Sequence, residues 1–206
     1  LSRGAKRVIA LSRRGAPTSH RTNLGRSSGG VSPAFVPDAA TESPTTYRRT
    51  IGRGEILHRA VDVCDSAQVE RVVEEFAADL RGVLHAAGVL MDKPLAQVTS
   101  ETLRASLRPK LIGAETLIRA VQGVALDRFV VVSSAVTLLG NAGQFAYQAA
   151  NGSLDGFADH WRRRGCPVFV MGFGPWTVGM ASVHAAGFAR RGVVAASPAR
   201  ALAALD

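Results

Sequence analysis

Short apolar runs alternate with segments of helical period along this chain, and that alternation restricts the fold more than any other feature. The runs Lys6–Ser12, Ile56–Val63, Gly82–Ala86, Phe129–Ser133 and Pro167–Gly172 are five to eight residues long and mostly apolar. Strands buried on both faces have this look. After Asp65 or Ser66, either of which can cap a helix, Val69, Val72, Val73, Phe76 and Leu80 follow the 3.6-residue period. A longer helix opens at Thr99 or Ser100 and runs to about Val121, with Pro109 expected to kink or interrupt it. A glycine-bearing loop, Gly140–Gly143, leads into a helix over Tyr147–Arg164, and Ser197 opens a last amphipathic stretch through Leu205. Strands alternating with helices form βαβ units, so the expected class is α/β, a parallel sheet with helices on both faces. Ligands of such sheets bind outside the carboxyl ends of the strands, which makes the polar residues just after each strand the candidates.

One stretch breaks the pattern. Thr18–Gly54 is rich in Ser, Thr, Gly, Pro and Arg and shows no strand or helix period. A structureless run of that length is uncommon inside a compact domain. It reads as a disordered insertion, a linker or a locally shifted reading frame within one domain spanning 1–206. It also holds much of the charge. The chain carries +9, yet residues 1–54 contain ten cations and two acids, so eight of those nine charges lie there. No aromatic residues are interleaved as a base-stacking surface would need, and nucleic-acid binding is not expected. No apolar run approaches the roughly 20 residues of a membrane span. No secretory leader pattern opens the chain, and Leu1 rather than Met stands first, as in a fragment or a processed product. Cys64 and Cys166 lie far apart, form no CxxC pair and look structural, so a reduced, cytoplasmic setting without a metal site is expected.

Three strand ends carry suggestive residues. Ser12-Arg13-Arg14 follows the first run, Ala87-Gly88 follows Gly82–Ala86, and Ser134 follows Phe129–Ser133. Tyr147 and Asn151 stand four residues apart, on one face of the next helix, and Lys110 lies on the helix before. This set suits carbonyl reduction. A tyrosine whose pKa is lowered by a nearby cation protonates the developing alkoxide, a serine hydroxyl aligns the same oxygen, and an asparagine anchors a water or a helix carbonyl in the proton path.

Ser134 and Tyr147, thirteen residues apart, resemble the active site of the short-chain dehydrogenase/reductase superfamily. Most members place lysine four residues after the tyrosine. Asn151 there, with Lys110 on the earlier helix, resembles the ketoreductase domains of polyketide synthases and animal-type fatty acid synthases. HAAGV (His85–Val89), RPKLIGA (Arg108–Ala114), Phe129–Asn151, and GPW (Gly174–Trp176) with GMA (Gly179–Ala181) are similar to that family too. The resemblance covers about Glu55–Asp206 and Leu1–Gly15.

It implies a Rossmann-type, doubly wound parallel sheet. Tyr147 would be the general acid, with Ser134 orienting the ketone, Lys110 tuning the tyrosine and Asn151 completing the relay. NADPH is the implied cofactor. Arg13 and Arg14, beside Ser12, resemble the segment that meets its 2′-phosphate, which a guanidinium suits through paired hydrogen bonds. Asp62 and Val63 resemble the pair flanking the adenine, and Ala86, Ala87 and Gly88 the strand end against which the ribose packs. The implied substrate is a β-ketoacyl group on an acyl carrier protein, within a megasynthase. That carrier is expected to meet exposed arginines such as Arg162–Arg164. Leu90-Met91-Asp92 keeps the final Asp of the triplet found in members that make the D-hydroxyl, and Leu139 replaces the Trp of the opposite type. Trp176 is expected to shape the substrate lid. His85 is expected to be a packed strand-end residue.

The sequence departs from the family in three ways. It contains no TGxxGxxG turn, whose backbone N–H groups hold the pyrophosphate. The family's first strand and that turn are therefore expected to be missing from the middle of the sheet, between Lys6–Ser12 and Gly82–Ala86. Thr18–Gly54 replaces a short helix, and Phe173 replaces a Trp. Two other readings stay open: a non-catalytic ketoreductase remnant, and a basic binding module built on the arginine-rich first segment.

Overall fold

The computed structural model describes residues 7–13, 46–51, 54–178 and 185–203. Contacts divide the chain into two compact units, Leu1–Asp62 and Val63–Asp206.

In the first unit, β1 (Arg7–Ser12) pairs in parallel with β3 (Gly54–Ala60), Arg7 opposite Glu55 and Ser12 opposite Ala60. Arg7 and Glu55 also form an ion pair. The other edge of β3 takes β2 (Thr46–Ile51) in antiparallel register. β2 lies inside the stretch where the sequence shows no strand period. Its Thr, Tyr and Ile favour extended backbone, but its two central arginines conceal the alternation. Leu57 and Val61 are the buried apolar side chains here.

The second unit follows the βαβ expectation closely. β4 (Gly82–His85), β5 (Arg128–Ser134) and β6 (Val168–Phe173) form a parallel sheet in that order. α1 (Ser66–Phe76) begins where Asp65 accepts a hydrogen bond from the Gln68 N–H. α2 (Ser100–Leu107) is capped likewise by Thr99, which accepts from the Thr102 N–H. The expected break at Pro109 is a π-helical turn, Arg108–Ile112, and α3 (Gly113–Ala120) continues from it. Pro109 has no N–H to give, so the ladder widens over one turn without ending. A short helix, α4 (Val136–Leu139), and then α5 (Phe145–Arg162) follow β5. Beyond β6 come α6 (Ala185–Ala189) and α7 (Pro198–Ala203), with the Arg200 N–H bonded to the Ser197 hydroxyl at 3.3 Å.

Alternation along β5 organises the core. Phe129, Val131 and Ser133 are buried against α5, with the Phe129 and Phe157 rings 6.2 Å apart. Ala146, Ala150, Leu154, Phe157, Ala158 and Trp161 recur at helical spacing on the buried face of α5. Leu154 is wholly enclosed, so truncation to Ala should cost about 2–5 kcal/mol. The opposite sheet face carries Leu84, Val132 and Met171, which line a cavity.

Among the described residues β1 pairs only with β3, and β4 only with β5. Among those residues, the mixed sheet of the first unit thus has an edge at β1, and the parallel sheet of the second an edge at β4. Leu84 on β4 is 63% exposed, a large apolar side chain on an edge strand.

Candidate active site

The carboxyl ends of β4, β5 and β6 converge on a cavity of about 310 Å³. Ser134 and Tyr147 both line it, with Leu90, Gln144, Trp176 and Phe188 among their neighbours. A larger cavity of about 450 Å³ lies by Phe129 and Pro167, at the amino ends of β5 and β6. Its lining contains Trp161, Arg164 and Cys166 but no serine, tyrosine or lysine.

The two consecutive serines on β5 separate by the pleat. Ser133 faces α5 and its hydroxyl donates to the Asn151 carbonyl at 3.3 Å. Ser134 faces the cavity, and its Oγ accepts from the Val136 N–H at 3.3 Å. Tyr147 stands on the first turn of α5, one turn before Asn151. Asn151 is fully buried and donates from Nδ2 to the Tyr147 carbonyl at 2.8 Å, while its Oδ1 has no partner among the described residues. A buried acceptor of that kind is where an ordered water belongs.

Lys110 sits in the π-helical turn and is 4% exposed. Its Nζ donates to the Val132 carbonyl at 2.6 Å. Burial lowers its pKa to about 8. The space for its stem comes from Gly88, where an added Cβ would lie 2.8 Å from the Lys110 Cε. His85 fixes the turn from below, donating from Nε2 to the Lys110 carbonyl at 3.0 Å. A carbonyl only accepts, so Nε2 carries the proton. Burial lowers the His85 pKa to about 4, which leaves the ring neutral near pH 7. Gly113 is small for the same reason: its Cβ would lie 3.0 Å from the His85 ring and 2.9 Å from Val63.

The remaining candidates fall on both units. Ser12 and Arg13 are exposed at the end of β1, and the Ser12 carbonyl accepts from the Val61 N–H at 2.9 Å. Arg14 lies outside the described residues, as do Gly179–Ala181. Asp62 ends the first unit and Val63 begins the second, both half-buried. Ala86 lines the cavity beyond β4, and Ala87 and Gly88 follow it. Leu139 and Trp176 line the same cavity, and Trp176 meets Phe173 edge to face at 5.3 Å.

Asp92 is drawn to the site by a residue the sequence reading overlooked. Gln144, only 4% exposed, donates from Nε2 to Asp92 Oδ2 at 3.0 Å and accepts from Asn141 Nδ2 at 2.8 Å. Its place three residues before Tyr147 was the available signal. Arg191, which bonds to Asn141 Oδ1 at 2.8 Å, carried no sequence signal.

Residues 1–178 match the family of KR domains. The chain belongs to the KR domain family of polyketide synthases. This chain is 40% identical over 152 residues to the phthioceranic/hydroxyphthioceranic acid synthase of Mycobacterium tuberculosis (strain ATCC 25618 / H37Rv), covering 69% of the chain and 7% of that protein. It is 35% identical over 178 residues to the pikromycin polyketide synthase component PikAII of Streptomyces venezuelae, covering 75% of the chain and 5% of that protein. The chain therefore spans less than a tenth of either relative. Among solved structures it superposes on an A-type ketoreductase from a modular polyketide synthase with a TM-score of 0.75, at 30% identity, covering 100% of this chain and 39% of that one. It matches the ketoreductase of the first phoslactomycin module from Streptomyces sp. HK803 with a TM-score of 0.68, at 32% identity, covering 73% and 36%. These matches place the fold as a Rossmann-type α/β domain with parallel strands.

Proposed function

We propose that this ketoreductase reduces a β-ketoacyl thioester, carried on an acyl carrier protein, to the β-hydroxyacyl thioester with NADPH. The observation that carries this reading is the meeting of Ser134 and Tyr147 in one cavity at the strand ends, backed by the buried Lys110. Ser134 orients the ketone oxygen by a hydrogen bond, and Tyr147 gives that oxygen its proton. Lys110, enclosed between Gly88 and the Val132 carbonyl, brings positive charge to the end of β5, two residues from Ser134. Asn151 offers its Oδ1 to a water, through which the proton is replaced.

NADPH, when bound, supplies the hydride. The residues present fit part of it. Ala86 and Gly88 keep the end of β4 small, and Ser12 with Arg13 ends β1 as an exposed polar segment that suits a phosphate. The 206 residues hold no TGxxGxxG turn for the pyrophosphate. Asp92 and Leu139 favour the D-hydroxyl product. For the carrier protein, Arg162, Arg163 and Arg164 at the end of α5 are all exposed, with Arg162 also paired to Asp159 at 3.0 Å and Arg164 bonded to His160 Nδ1 at 3.1 Å. Charge reversal at Arg163 and Arg164 should weaken turnover of carrier-bound substrate only.

The test is the loss of nicotinamide absorbance when the chain is mixed with NADPH and a β-ketoacyl thioester surrogate. Turnover that disappears in Tyr147→Phe is expected. No turnover together with no NADPH binding would favour the second reading, a non-catalytic remnant.

A further inference from the structure

The cavity has a clasp that the reductive chemistry does not require. Arg191 follows α6 and reaches back to the loop before Tyr147. Its Nη2 donates to Asn141 Oδ1 at 2.8 Å and its Nη1 to the Gly140 carbonyl at 3.1 Å. Gly140 has a φ of 66°, a left-handed backbone that glycine adopts without strain. The same guanidinium stacks over the Phe188 ring at 5.0 Å. Phe188 is 7% exposed and lines the cavity with Ser134, Tyr147 and Trp176.

The connection continues inward. Asn141 Nδ2 donates to Gln144 Oε1 at 2.8 Å, and Gln144 Nε2 donates to Asp92 Oδ2 at 3.0 Å. A backbone bond runs alongside, from the Lys93 N–H to the Gly143 carbonyl at 2.8 Å. One chain of hydrogen bonds thus joins the segment after α6, the loop ahead of α5 and the loop after β4. Each region contributes cavity wall: Phe188 from α6 itself, just before that segment, Gln144 from the loop ahead of α5 and Leu90 from the loop after β4.

We propose that Arg191 is a positioning residue for the acyl substrate: it holds Phe188 and the Gly140–Gln144 loop together as one wall of the cavity. This inference rests on the reductase reading for the identity of the ligand, a β-ketoacyl thioester. A planar guanidinium suits the task, because it can bond two acceptors in its plane while its face lies on an aromatic ring. Lysine cannot do both. Neither acceptor is charged, so the clasp is not an ion pair and holds at high salt.

The experiment measures the affinity of the full chain for a β-ketoacyl thioester surrogate by calorimetry, alongside turnover with NADPH. Arg191→Ala should weaken surrogate binding about fivefold or more, by loss of two hydrogen bonds to a charged donor. In turnover it should raise KM for the thioester by a similar factor, with kcat and KM for NADPH unchanged. Arg191→Lys should fall between the two. Asn141→Ala should repeat the defect, and the double variant should be no worse than either single one, as expected of two members of one contact. Surrogate affinity unchanged in Arg191→Ala, or additive losses in the double variant, would overturn the clasp. So would equal losses in kcat and in NADPH binding, which mark a general structural role. A wild-type chain that binds the surrogate without reducing it contradicts the reductase chemistry alone. A wild-type chain that fails to bind it overturns both.

Discussion

Lys110 donates to the carbonyl of Val132 at 2.6 Å, a bond that carries a side chain from the π-helical turn to the end of β5. The two residues stand on different layers, and the bond fixes where the ammonium charge sits relative to Ser134 two residues on. Burial holds its pKa near 8. Lys110→Met should lower kcat about a hundredfold, the scale of losing a tuned acid–base partner. As pH rises through about 8 the wild-type ammonium loses its proton, so kcat should fall there. In the chain methylated with carbon-13 at its lysines, one resonance absent from Lys110→Met should titrate near that pH. A resonance that keeps its position to pH 10 would contradict the burial argument.

Gly88→Ala tests the corridor. The new Cβ would stand 2.8 Å from the Lys110 Cε, closer than carbon atoms tolerate, so the lysine stem must move. The expected outcome is a loss of about tenfold or more in kcat, because small displacements of catalytic groups are costly. The melting temperature should change little. Full activity in Gly88→Ala would show that the lysine reaches its place by another path.

His85 predicts an acid transition. Its pKa falls from 6.5 unfolded to about 4 in the folded chain, because burial penalises the charged ring. The unfolded chain therefore binds more protons between those values, and stability rises with pH across that window. Acidification from pH 6.5 through 4 should remove about 3 kcal/mol through this group, the change levelling off about a pH unit below the folded pKa. His85→Gln keeps a donor for the Lys110 carbonyl but does not titrate. Urea unfolding at pH 6.5 and 4.5 should show a smaller difference in that variant. An equal difference would assign the acid sensitivity to carboxylates instead.

Leu84 predicts self-association. It is 63% exposed on a strand whose second edge has no partner among the described residues. Such edges recruit other strands unless a charge blocks them. Leu84→Lys should reduce concentration-dependent association in light scattering. Association that persists undiminished would place the sticky surface elsewhere.

Much of the architecture is legible in the linear order of residues because the signals are local. Each βα alternation needs only a run of five to eight mostly apolar residues and a helical period. Asp65 and Thr99 mark helix starts because an N-cap bonds a backbone N–H three residues on. Likewise, Tyr147 and Asn151 share a helix face through spacing alone. β2 was not legible, since its arginines interrupt the alternation and only pairing with β3 holds it extended.

The sequence by itself therefore determined the α/β class, the order of the elements in the second unit and the residue types available for carbonyl reduction. The tertiary structure decided their partners. It turned Ser134 toward the cavity and Ser133 toward α5. It gave His85 the Lys110 carbonyl, 25 residues away, and Gln144 the Asp92 carboxylate, 52 away. It also brought Arg191 to Asn141 across 50 residues. Such contacts depend on sheet register and helix packing, which sum many weak burial terms over the whole unit. No short stretch of sequence contains that sum.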